Sequence, residues 1–108
     1  MAVTFRSASS YDAYGTSHPI PKPAGAAEGD LLIAALYTGL TSGTETPPSG
    51  WNTIVNTSNR AIFWRIVGSS DPSTYTFTTN AAYSVHAAII CYDGANPADP
   101  INAWDLTA

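Results

Sequence analysis

The chain has 108 residues, 44% of them hydrophobic and only 11% charged, with a formal net charge of −4. That composition excludes an intrinsically disordered chain, and the length is that of one domain, residues 1–108, with a single core. The four basic residues, Arg6, Lys22, Arg60 and Arg65, are scattered, which excludes the clustered cations that phosphate neutralisation on nucleic acid or docking on an acidic membrane surface requires.

Ala2–Arg6 alternates Val3 and Phe5 against Thr4 and Arg6, the pattern of a half-buried first strand. Ser7–Ser17 is small, polar and aromatic and reads as a loop. His18-Pro19-Ile20-Pro21-Lys22-Pro23 holds three prolines, which remove three ladder donors and exclude a central strand. The segment reads as an extended edge or a polyproline-like arm, so residues 1–23 are expected to form an N-terminal arm plus the first strand. A turn over Ala24–Gly29 follows.

Leu31–Tyr37 is an unbroken apolar run bounded by Gly25 and Gly29 on one side and Gly39, Gly43, Pro47 and Pro48 on the other. The space between the breakers suits a strand better than a helix. Because successive strand residues face opposite ways, a run apolar at every position predicts a central strand covered on both faces.

Thr38–Gly50 reads as a long loop. Trp51–Val67 reads as a hairpin turning at Ser58-Asn59. In its second strand Ile62, Trp64 and Ile66 form an all-apolar face expected to be core, and Ala61, Phe63, Arg65 and Val67 form a face carrying one charge. Thr74–Thr79 alternates with Tyr75 and Phe77 inward, Tyr83–Tyr92 is a second long apolar strand, and Ile101–Thr107 is a short last strand containing Trp104. About seven strands, punctuated by turn residues at roughly ten-residue spacing, predict an all-β fold: a single antiparallel β-sandwich, Ig-like or jelly-roll-like.

No pattern of residues carries catalysis. Ser84 and His86 share a strand face but stand two residues, roughly 6–7 Å, apart, beyond the reach of a nucleophile–base pair. His86 and Cys91 face opposite ways. A single cysteine excludes an internal disulfide. Asp93, Asp99 and Asp105 match no calcium-loop spacing. The chain is therefore expected not to be an enzyme and to need no cofactor or metal. Trp51, Trp64 and Trp104 offer a candidate sugar-stacking platform, against core packing of the same residues. The opening Met1–Ser10 has no apolar run, so synthesis in a cytoplasm is expected.

A series of motifs carries a resemblance. Pro23-Ala24-Gly25, Glu28-Gly29-Asp30-Leu31-Leu32-Ile33-Ala34, Pro47-Pro48-Ser49-Gly50-Trp51, Phe63-Trp64-Arg65-Ile66-Val67-Gly68, Tyr75-Thr76-Phe77, Tyr92-Asp93-Gly94-Ala95 and Asn96-Pro97 with Pro100-Ile101 follow in that order. Together they resemble a β-sandwich module of tailed-phage virion proteins, chiefly head decoration (cement) proteins and minor tail proteins. The resemblance implies a capsid decoration protein, made in the host cytoplasm and placed on the virion head, with the major capsid protein as partner and a homo-oligomer, a trimer by preference. It brings no catalytic residue.

Modules of this kind often continue past the Asn-Pro and Pro-Ile stretch, so an unpaired edge completed by another chain is expected. Val3, Phe5, His18, Pro19, Ile20, Pro21 and Pro23 are the expected interface residues. The alternative is a tail or fibre module that binds surface carbohydrate through Trp51, Trp64 and Trp104.

Overall fold

A computed structural model describes residues 4–37, 45–56 and 60–94. These form six strands: β1 (Thr4–Pro21), β2 (Leu31–Tyr37), β3 (Glu45–Thr46), β4 (Asn52–Asn56), β5 (Arg60–Ile66) and β6 (Thr74–Asp93). All pairings are antiparallel, in the order β1-β6-β2-β5-β4, with β3 added against β6. The described residues form an all-β fold, a single antiparallel β-sandwich.

Two long strands make the sandwich. β1 pairs with β6 along its length, but the ladder breaks between Gly15↔Tyr83 and Ser17↔Thr78. Gly15 sits at that break with φ +146°, where a side chain is disfavoured. Beyond the break, residues 17–21 of β1 and 74–79 of β6, with β3, fold over the inner face of the sheet made by β6, β2 and β5. Ile20, Tyr75 and Phe77 from this flap join Leu32, Ala34, Leu36, Phe63, Val85 and Ile89 in one core. Phe63 and Phe77 meet across it with ring centroids 5.6 Å apart.

Several sequence expectations are corrected here. Ser7–Ser17 is strand, not loop: Ser9 pairs with Ile89, Tyr11 with Ala87 and Ala13 with Val85. Its small polar residues lack strong strand propensity, and the partner strand overrides that. The following segment is not a projecting arm, since β1 runs through to Pro21 in register with β6. Among the described residues it is an edge strand, and this explains the prolines: Pro19 and Pro21 need no second ladder partner. The predicted strands Thr74–Thr79 and Tyr83–Tyr92 are one strand, β6. The predicted Ile101–Thr107 strand lies outside the described residues.

The two strands of the hairpin Trp51–Val67 are borne out as β4 against β5, with its predicted Ser58-Asn59 turn outside the described residues, but its core face is reversed. Ala61, Phe63 and Val67 are buried, whereas Ile62, Trp64 and Ile66 are only half-buried. The charge on the inward face, Arg65, is accommodated by a partner described below. β2 is central, as expected, between β6 and β5. The prediction that both its faces are covered fails: Leu32, Ala34 and Leu36 are buried, but on the other face exposure grows from Leu31 at 4% to Tyr37 at 51%.

Candidate docking face

The outer face of the sheet is built from rows of directly opposed residues. The strand order across each row is β1, β6, β2, β5. At one end lie Phe5, Tyr92, Leu31 and Ile66. The next rows are Ala8, Ile90, Ile33 and Trp64, then Ser10, Ala88, Ala35 and Ile62. The last row is Asp12, His86, Tyr37 and Arg60. In the first three rows eleven of twelve positions are apolar and the remaining one is serine. Charge is confined to the fourth row, where His86 Nδ1 and Asp12 Oδ1 stand 3.2 Å apart. A groove of about 410 Å3 opens at this end of β2 and β5, lined by Ala35, Leu36, Tyr37, Arg60, Ala61 and Ile62. Leu31 on this face is buried and Ile33, Ile62, Trp64, Ile66 and Ile90 are half-buried, while Phe5, Ala35 and Tyr37 are exposed.

The expected interface residues divide. Phe5 is 59% exposed, edge-on to Tyr92, and Pro19 and Pro21 are exposed on β1. His18 and Ile20 are fully buried in the chain's own core, and Pro23 is buried too, so none of these three can reach a neighbour. Val3 lies outside the described residues. Of the tryptophans, Trp51 is core, edge-to-face with Tyr75 and Phe77. Trp64 lies on the open face, and Trp104 is outside the described residues.

The polar side chains that are buried serve the fold. Asp30, 3% exposed, accepts from Ala27 N–H at 2.9 Å, Arg6 Nε at 2.7 Å and Cys91 Sγ at 3.4 Å. Burial pushes the Asp30 carboxyl up, but the bonds from Ala27, Arg6 and Cys91 and the Arg6 charge outweigh it and hold the carboxyl below its ordinary range. Burial, then Asp30, raises the Cys91 thiol to about 11, and such a thiol is not a nucleophile at neutral pH. Ser84 and His86 are exposed on the outer face, the side opposite Cys91.

Arg65 lies at the other end of the core. Its guanidinium donates from Nε to Asp71 Oδ2 at 2.8 Å and from Nη2 to Asp71 Oδ1 at 2.5 Å, and Tyr75 Oη donates to the same carboxylate at 2.7 Å. The Arg65 hydrogen bonds, against burial and with help from Tyr75, lower Asp71 to about 2. Burial, then Asp71, raises the Tyr75 hydroxyl. The arginine on an otherwise apolar face, with an aspartate in the turn six residues on, was the sequence signal for this pair. No comparable signal announced Arg6 and Asp30, which lie 24 residues apart.

His18 is the third buried polar group. Its Nε2 lies 2.8 Å from Gly15 O and must donate to it, and its Nδ1 shares a hydrogen bond with the Tyr11 hydroxyl at 3.2 Å. Glu45 is different. It is 2% exposed and neither carboxylate oxygen has a hydrogen-bond partner, so burial raises its pKa. Among the described residues no group of three or more His, Cys, Asp or Glu side chains stands ready to hold a metal ion.

No family model matches the chain, and no curated protein or solved structure matches it either.

Proposed function

We propose that the chain is a phage virion structural protein, a capsid decoration protein that stabilises the head by binding across capsid-protein junctions. The observation that carries this reading is the open apolar face of β6, β2 and β5 on a small chain with only 11% charged residues. Such a surface is built for assembly, because interface cores are depleted in Lys, Glu and Asp. The ordered motifs from Pro23 to Ile101 supply the phage part of the reading. The shell contact is assigned to the β1 edge, where Pro19 and Pro21 are exposed beside main chain that has one ladder partner among the described residues. Burial of apolar and main-chain surface, not catalysis, would hold the head together.

The carbohydrate-binding alternative keeps only Trp64 of its platform among the described residues. Trp64 is flanked in its row by Ile33 and Asn52, so a single polar neighbour stands beside it where sugar recognition needs several.

The reading is tested by purifying intact virions and measuring whether the protein is present at a copy number near that of the capsid protein, and whether adding it to bare capsids raises their disruption temperature. Absence from virions together with no binding to capsids would sink it. Strong binding on a glycan array, lost on Trp64→Ala without unfolding, would favour the alternative.

A further inference from the structure

We infer that the open face of β6, β2 and β5 is a two-fold interface, and that its occupant is a second copy of this chain packed sheet against sheet. The inference rests on the reading that this face is an assembly surface, and it names the partner. The argument comes from the registers. A two-fold axis in the plane of the interface, parallel to the strands and passing between β6 and β2, keeps each row in place and reverses its order. β5 of one copy then lies over β1 of the other, and β6 lies over β2.

Under that operation the rows complement themselves. In the charged row Arg60 comes over Asp12, and His86 over Tyr37. In the row of Ala8, Ile90, Ile33 and Trp64, the largest side chain comes over the smallest, Trp64 over Ala8, and Ile33 over Ile90. In the next row Ile62 comes over Ser10, and Ala35 over Ala88. An isologous interface requires such self-complementarity; it is met in charge in the fourth row and in size in the second and third, while in the first row Phe5 comes over Ile66 and Tyr92 over Leu31. Sheets packed face to face stand about 10 Å apart and align within about 30°, so opposed rows stay nearest in register close to the axis, and at the rim the long Arg60 side chain can reach across toward the short Asp12 carboxylate.

Four strands about 4.8 Å apart and seven residues long present roughly 440 Å2 per copy. The total of about 900 Å2 is below the standard interface size, so the dimer is a weak one, forming at micromolar concentrations and above. Pairing of this kind is two by two, and it differs from the trimer that the phage resemblance implies.

Sedimentation equilibrium of the full chain between about 5 and 500 μM at low ionic strength is the test, with an expected weakening at high salt no larger than that of the charge variants below. A monomer–dimer equilibrium is expected. Asp12→Arg sets two guanidinium groups against each other at both ends of the charged row, and Arg60→Glu sets two carboxylates against each other in the same places. Each variant should weaken dimerisation about fivefold to tenfold. The double variant should return to within about threefold of the parent, and mixing the two single variants should yield a heterodimer tighter than either homodimer. Both positions are exposed, and because Asp12 also lies 3.2 Å from His86 of its own chain, circular dichroism and a thermal melt check that each variant folds.

A monomer throughout, a trimer, a dimer insensitive to both single variants, or a double variant as weak as the singles would each overturn the inference. Failure of the decoration reading is distinguishable: the protein would be missing from virions while the dimer and its charge-swap behaviour remained.

Discussion

Replacing Asp71 by asparagine should expose how much the fold owes to the Arg65–Asp71–Tyr75 network. Asparagine keeps the shape and loses the charge, which leaves Arg65 on the inward face with its charge uncompensated. The Asp71 pKa falls from 3.8 to about 2 in the folded protein. A carboxylate whose pKa is depressed on folding contributes stability that is fully present above its unfolded pKa and is lost as pH falls through its folded pKa. At 1.36 kcal/mol per pKa unit the contribution is about 2 kcal/mol at pH 7, where the 4% exposed side chain is well shielded. By pH 3 roughly half remains, about 1 kcal/mol, because the unfolded chain is then mostly protonated at this position and the folded one is not. Urea denaturation of parent and Asp71→Asn at pH 7, 5 and 3 gives the difference directly, and other titrating groups cancel in the comparison. The variant should be less stable by about 2 kcal/mol at pH 7, with a gap that narrows toward acid. A gap that is the same at pH 7 and pH 3 would refute the charge-based account and leave only a shape effect.

Glu45→Met removes a buried carboxyl that has no partner and should stabilise the protein by about 1 kcal/mol at neutral pH. The raised Glu45 pKa favours the protonated fold, so the gain should shrink as pH falls below the folded pKa; thermal melts at pH 7 and pH 4 check it. Gly50→Ala places a Cβ against the Arg65 guanidinium at a residue with φ +93°, and because Asp71 pins that guanidinium it cannot swing aside freely; a loss of about 1–2 kcal/mol in denaturation is expected. Cys91, buried and raised to about 11, should react with a thiol reagent only as fast as the protein opens, so its labelling rate should rise with urea in parallel with unfolding.

Much of the fold was legible locally. Breakers around Leu31–Tyr37 and alternation in Thr74–Thr79 placed strands correctly, because each rests on period and punctuation within a few residues. Ser7–Ser17 was not legible as a strand, since Ser9, Tyr11 and Ala13 take their conformation from Ile89, Ala87 and Val85 of β6. His18 and Ile20 were read as surface because prolines flank them, yet an edge strand accepts proline on its solvent side while turning the residues between inward. The reversed face of β5 has a related cause. Hydrophobicity alone favours Ile62, Trp64 and Ile66 as core, but the inward charge on Arg65 is neutralised by Asp71, so the other face could be buried.

The candidate interface shows the same division. The sequence by itself determined that Leu31–Tyr37 is apolar at every position and that charge is scarce, and both follow from composition and the two-residue period. Only the tertiary structure decided that one face of that strand packs inside while the other stays open. That choice depends on where β1 and β6 fold over the sheet, and the fold-over is set by a ladder break at Gly15 between residues more than sixty positions apart. Pairing across such distances leaves no periodic trace in the chain, so the open face and the charges at its rim emerge only when the strands stand side by side.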